Sequence, residues 1–197
     1  FYQKRLGYNN KEFMMIKFAT MIKNSWKIGS KSITTRNDPR VTKLGRILRL
    51  TKINEFPQII NVIFGNMSIV GPRPLPESSF LKYNKQVREK LYTNKPGITG
   101  LGSLVFRDEE KIISIVTKYN LDPMLFYKQN IYPYKGALEL YYYHNKSFCF
   151  DFKIIFATAL KLFLTSFKIE NIFFKKLPTK PLILDPKNLK KKLDNAK

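Results

Sequence analysis

Residues 48–74 read LRLTKINEFPQIINVIFGNMSIVGPRP, and the local architecture follows from this stretch. Ile53, Phe56, Ile59, Ile60 and Ile63 separate from Asn54, Glu55, Gln58 and Asn61 at a 3.6-residue period, which predicts an amphipathic helix over Ile53–Phe64. Pro57 has no amide donor and fits best within the first turn. That places Asn54 and Glu55 near the positive end of the helix dipole, where phosphates and carboxylates are stabilised. Upstream, Val41, Leu44, Ile47 and Leu48 recur at helical spacing and predict a helix over Arg40–Leu50. Downstream, Gly71-Pro72-Arg73-Pro74 is a stiff connector. Arg73, held between two prolines, suits bidentate phosphate binding.

Working outward, Phe13, Met14, Ile16 and Phe18 fit a short hairpin about an Asn9-Asn10 turn. Lys23–Pro39 is polar and reads as a loop, and Pro96–Gly100 as a Gly/Pro loop. Helices are expected over Glu77–Tyr92, Glu109–Asn120, Pro123–Ile131 and Gly136–Tyr143. Along Phe150–Ile169, Asp151, Thr158, Lys161, Thr165 and Lys168 form one narrow polar stripe on an apolar helix. Two readings stay open: a core helix with one wet edge, or a helix in the membrane interface with its lysines snorkelling to headgroups. From residue 175 onward, eight lysines stand against two aspartates, with Pro178, Pro181 and Pro186; this reads as a mostly flexible polybasic extension. The expected fold is therefore α-dominated α+β. Short helices surround the one bearing Asn54 and Glu55, with a small N-terminal β element and an amphipathic membrane-interface helix near the C-terminus. Residues 1–170 form the domain and 171–197 a basic tail.

The chain has 197 residues, with 36 Lys and Arg against 14 Asp and Glu, a net charge of +22. Such a balance points to a polyanionic partner. Nucleic-acid motifs and an obvious base-stacking platform are missing from the sequence, so the expected surface partner is an anionic membrane rather than nucleic acid. Cys149 is the sole cysteine and His144 the sole histidine, which excludes an internal disulfide, a cysteine zinc site and a two-histidine relay. No signal peptide and no run of about 20 apolar residues is visible.

The block 48–74 resembles, over a long gap-free match, the signature of the bacterial sugar transferases, the monotopic phosphoglycosyl transferases. Phe1–Met21, the run Asn37–Thr42 with Gly45, the segment Lys95–Gly100, and Asn145, Ser147, Asp151 and Lys153 are similar to further parts of that pattern. The resemblance covers about residues 1–165. It implies transfer of a sugar 1-phosphate from a nucleotide diphosphate sugar to polyprenyl (undecaprenyl) phosphate, at the cytoplasmic face of the bacterial inner membrane. It also implies a covalent phosphosugar on the Asp of an Asp-Glu dyad, a Glu tied to Mg2+, and a re-entrant membrane helix ahead of Phe1. On this chain the dyad positions are Asn54 and Glu55. Diphosphate chemistry needs cations, and a carboxylate to hold a hard metal. Glu55 is the candidate metal ligand, and Arg73, Lys17, Arg5, Arg49 and Arg107 are the phosphate-binding candidates.

The departures concentrate at the chemistry. Asn54 replaces the dyad Asp, and an amide is a poor nucleophile. Asn66 and Ala19 replace an Asp and an Arg of the pattern. After Gly100 the pattern is rewritten as Leu101–Glu110, with Arg107 a candidate to take the place of the family's arginine. Asp108, Glu109 and Glu110 form the densest acidic cluster. They read either as favourable acids at a helix start or as replacements for the missing nucleophile or metal ligand; Asp38 is a further compensating candidate. Asn54 leaves open a trapping substitution, a natural subgroup or an inactive relative, and the clustered departures favour the subgroup. The alternative function is a catalytically impaired relative that binds nucleotide sugar or a partner enzyme at the membrane.

Overall fold

A computed structural model describes residues 1–25, 35, 38–107, 109–164, 167–174 and 176–195. The fold is helix-dominated with a small N-terminal antiparallel strand pair, as expected. Strands β1 (Tyr2–Leu6) and β2 (Glu12–Ile16) pair around a turn in which Asn9 and Asn10 take positive φ. Asparagine tolerates that conformation better than most residues. Helix α1 (Lys43–Leu50) starts later than predicted, because the Thr42 hydroxyl accepts from the Gly45 amide at 2.9 Å and caps it there. Gly45 lies against the backbone of Thr20, where a Cβ would stand 2.1 Å from the carbonyl oxygen.

The predicted helix over Ile53–Phe64 is broken. A single 3-10 turn spans Ile53–Glu55, and the α-helix proper, α2 (Gln58–Ile63), begins only after Pro57. Its amphipathicity is inverted. Gln58 and Asn61 are buried, whereas Ile59, Ile60, Ile63 and Phe64 are exposed, the last two at 76% and 75%. Asn61 explains the inversion: its Nδ2 donates to the Met14 carbonyl and its Oδ1 accepts from the Ile16 amide, both at 2.9 Å. The side-chain amide thus bonds the outer edge of β2.

Strand β3 (Ser68–Val70) pairs in parallel with β4 (Gly97–Thr99), which sequence analysis took for a loop. The two backbones meet at Gly71 and Gly97, where a Cβ on Gly97 would come within 2.1 Å of the Gly71 amide. Glu77–Tyr92 is two helices, α3 (Glu77–Phe80) and α4 (Lys85–Leu91), the second capped by Asn84. Helix α5 (Leu101–Val105) was not anticipated. There follow α6 (Glu109–Lys118), α7 (Pro123–Phe126), a π-helical stretch over Tyr127–Ile131, α8 (Tyr132–Asn145) and α9 (Phe148–Phe163).

The main core joins Leu101, Leu104, Ile113, Val116, Leu138 and Ile154, among others. On α9 the polar stripe faces the protein. Asp151 accepts from the Tyr142 hydroxyl at 2.8 Å, Thr158 bonds Thr99 at 2.9 Å, and Lys161 is buried against Glu170. Lys161 therefore does not snorkel; the exposed face instead carries Phe148, Phe152, Phe156 and Phe163. Thr165 lies outside the described residues. The C-terminal region also departs from the flexible tail expected of it. It forms α10 (Ile169–Phe173), a 3-10 turn at Leu182–Leu184 and α11 (Pro186–Asp194), and buries Ile169, Leu184 and Leu189 in the main core. No helix among the described residues is long and apolar enough to cross a membrane.

Candidate active site

The site is assembled where α1 ends. Lys52 takes a left-handed backbone (φ +63°), which turns the chain from α1 into the 3-10 turn carrying Asn54 and Glu55. A positive φ at a residue other than Gly or Asn costs energy and persists only where the surroundings enforce it. The Asn54 carbonyl accepts from the Phe18 amide at 3.0 Å, tying the turn to the chain leaving β2. Arg73 follows β3, and its backbone is gripped by Tyr92. The buried Tyr92 hydroxyl donates to the Arg73 carbonyl (2.9 Å) and accepts from the Leu75 amide (2.8 Å). The Arg73 guanidinium then reaches the mostly buried Glu55 carboxylate at 3.1 Å.

Glu55 senses Arg73, Lys52 and Lys17; Arg5 and Arg49 in turn act on Lys17, and Arg107 on Lys52, so six cations form one linked field. Burial alone would raise the Glu55 carboxyl, but Arg73, Lys52 and Lys17 outweigh it and hold it below its ordinary range. Burial, reinforced by Arg5 and Arg73, pushes the Lys17 ammonium down to about 8. Burial, then Arg73, lowers Arg5 to about 10, and burial also lowers Lys52. The Glu55 charge in turn raises Arg73. Even with Glu110 on Arg49 and Glu109 felt by Arg73, cations outnumber carboxylates in this field. Buried polar atoms are also left without hydrogen-bond partners at Asn54 Oδ1, Arg5 Nε and Arg107 Nη1. Unsatisfied buried donors beside excess positive charge describe a seat for a polyanion.

The acidic candidates separate. Asp38 is not available to Glu55: it is buried in an ion pair with Arg40, at 2.6 and 2.8 Å, which lowers its pKa. Glu109 pairs with Lys135 at 2.5 Å, although Arg73 senses its charge. Glu110 bonds Arg49 at 3.3 Å, and burial raises its pKa. Asp108 lies outside the described residues. Among the described residues no group of three or more His, Cys, Asp or Glu is placed to hold a metal ion. Two hard oxygens remain on one turn, the Glu55 carboxylate and the unpartnered Asn54 Oδ1. They suit a Mg2+ ion that arrives with phosphate oxygens, since Mg2+ commonly takes one or two protein ligands plus substrate phosphates.

Sequence analysis missed Lys52, whose signal is conformational; Glu139, outside this field, is a second carboxylate it did not single out. Burial pushes the Glu139 carboxyl up to about 7 against the opposing charge of Lys135. A shallow cavity of about 280 Å³ opens beside Arg5, lined by Lys4, Leu6, Glu12, Pro76, Glu77 and Ser78.

The sequence model of the family described as Bacterial sugar transferase matches residues 1–165. The chain is 34% identical over 171 residues to UDP-glucose:undecaprenyl-phosphate glucose-1-phosphate transferase of Escherichia coli (strain K12), covering 83% of this chain and 32% of that protein. It is 32% identical over 169 residues to the exopolysaccharide production protein ExoY of Sinorhizobium fredii (79% of this chain, 66% of that one). It is 36% identical over 134 residues to the galactosyl transferase CpsE of Streptococcus agalactiae (60% and 29%). The chain thus spans about a third of the Escherichia coli relative.

Proposed function

The chain belongs to the bacterial sugar transferase family, and from that premise we propose that it transfers a sugar 1-phosphate from a nucleotide diphosphate sugar to polyprenyl phosphate. One observation carries the reading: a linked field of six cations in which Arg73, Lys52 and Lys17 act on Glu55, with unsatisfied buried polar atoms on Asn54, Arg5 and Arg107. In the reaction, the bond between the donor's bridging oxygen and its sugar-bearing phosphorus breaks. A bond from that phosphorus to an acceptor phosphate oxygen forms, and nucleoside monophosphate leaves with the bridging oxygen. Arg73, Lys17, Arg5 and Arg107 bind and orient the diphosphate, and Lys52 and Arg49 offset charge on the leaving phosphate. Glu55 and Asn54 Oδ1 would hold Mg2+, which when bound neutralises phosphate charge. A phosphate oxyanion is itself a nucleophile, so this reading needs no covalent step on Asn54. The cavity beside Arg5 offers room for the sugar or nucleoside end of the donor.

The inside-out helices support a monotopic placement at the cytoplasmic face of the bacterial inner membrane. Leu44 and Ile47 of α1, Ile63 of α2, Phe64 beyond it, Ile69 of β3 and Phe152 of α9 present apolar side chains outward. Exposed large apolar side chains in this number suit a membrane or protein contact. The +22 charge adds attraction to anionic lipids.

The test incubates the full-length protein with UDP-sugars, Mg2+ and undecaprenyl phosphate. Release of UMP with intersecting initial-rate plots in the two substrates supports direct transfer; parallel plots indicate a covalent intermediate. The amide at Asn54 favours a second reading, a binding protein without turnover. No UMP from wild type, with release gained in Asn54→Asp, establishes that reading and overturns the first.

A further inference from the structure

We propose that the C-terminal segment beyond residue 165, outside the family match, is part of the catalytic apparatus, with Lys180 a positioning residue for Phe106 and Arg107. The proposal rests on the reading of Arg107 as a phosphate ligand. The Lys180 ammonium lies 5.6 Å from the centroid of the Phe106 ring, within cation–π range. The Lys135 ammonium reaches the same ring at 5.1 Å and also pairs with Glu109 at 2.5 Å. Phe106 is buried and packs on the Tyr134 ring at 5.7 Å, while the Tyr134 hydroxyl donates to the Pro178 carbonyl at 3.0 Å. One aromatic ring is therefore clasped from α8 and from the C-terminal segment. The next residue in the chain is Arg107, whose buried Nη1 has no partner.

The clasp is anchored. Lys161 of α9 and Glu170 of α10 form a buried ion pair, Lys168 pairs with Asp185 at 3.4 Å, and Leu184 and Leu189 lie fully in the core. Lys180 senses the carboxylates of Glu170 and Asp185, and burial lowers its pKa. A rigid base, an ammonium on Phe106 and an unsatisfied guanidinium beside it form one line from the C-terminal segment to the phosphate seat. The segment has a short lever on the residue that must meet the substrate, and lost orientation at a reacting centre lowers rate disproportionately.

The test compares Lys180→Met, which keeps the stem and removes the charge, with Lys180→Arg in the full-length protein. Expected for Lys180→Met are faster hydrogen exchange at the Phe106 and Arg107 amides, a kcat lowered about fivefold or more, and an unchanged melting temperature. Lys180→Arg restores both readouts to near wild type. Unchanged exchange in Lys180→Met overturns the proposal, as does a fall in kcat that tracks a fall in melting temperature and is not rescued by Arg. Hydrogen exchange reads the positioning whether or not transfer is observed, so a wild type without UMP release refutes the functional reading alone.

Discussion

If Lys17 binds the donor's diphosphate as proposed, it would link proton binding to substrate binding. Its pKa is depressed from the ordinary 10.5 to about 8 because burial, Arg5 and Arg73 all disfavour its charge. A bound diphosphate would supply the missing counter-charge and restore the ammonium. Free protein at about pH 8 holds half a proton on Lys17, so ligand binding there takes up about 0.5 proton per site. One unit above, the uptake rises to about 0.9, and one unit below it falls to about 0.1. Affinity therefore drops about tenfold across those two units, with the loss on the alkaline side. The sign for the unliganded protein is opposite. The unfolded chain holds more protons between about 8 and 10.5, so this group makes stability rise with pH in that window. Titration calorimetry of a UDP-sugar in buffers of different ionisation enthalpy measures the proton count directly, because the donor's phosphates do not titrate in this range. Binding without proton uptake at about pH 8, or an uptake that persists in Lys17→Met, refutes the reasoning.

Three other perturbations have defined outcomes. Glu170→Gln strands the buried Lys161 charge and should cost about 3–5 kcal/mol in urea denaturation, whereas Lys161→Met with Glu170→Leu recovers most of that loss. Gly45→Ala puts a methyl group 2.1 Å from the Thr20 carbonyl oxygen and should destabilise by about 2 kcal/mol or more in the same assay. Replacing the exposed Ile63 and Phe64 together by Asp should leave the melting temperature unchanged while abolishing flotation with anionic liposomes; undiminished flotation counts against the membrane reading.

The helical content and the N-terminal hairpin were legible because they rest on local signals, periodicity and Asn-Asn in the turn; the caps at Thr42 and Asn84, which set where α1 and α4 start, went unread. What failed was orientation. Period alone says that α2 and α9 have two faces, and the inward choice of Asn61, Thr158 and Lys161 depends on the Met14 carbonyl, Thr99 and Glu170, none of them local. The tail read as flexible because lysines and prolines dominate its composition; Leu184 and Leu189 are few, but they find a core. The sequence named Arg73, Glu55, Arg5, Lys17, Arg49 and Arg107 as candidates, and the fold links them through one electrostatic field. Lys52 was not named, since a left-handed turn at a lysine has no compositional trace. Asp38 misled because a buried structural pair and an available carboxylate look alike in a sequence.

The Asn61 amide on the outer edge of β2 has a consequence for how molecules of this chain share a surface. An open strand edge is a template that any extended segment can copy. Held on a lipid bilayer, neighbouring copies would meet in two dimensions at high local density, the condition under which such templating runs fastest. By seating a side chain where a third strand would bond, Asn61 spends both of its hydrogen-bonding ends on keeping the hairpin a pair. Crowding can then bring these molecules side by side without stitching their sheets together.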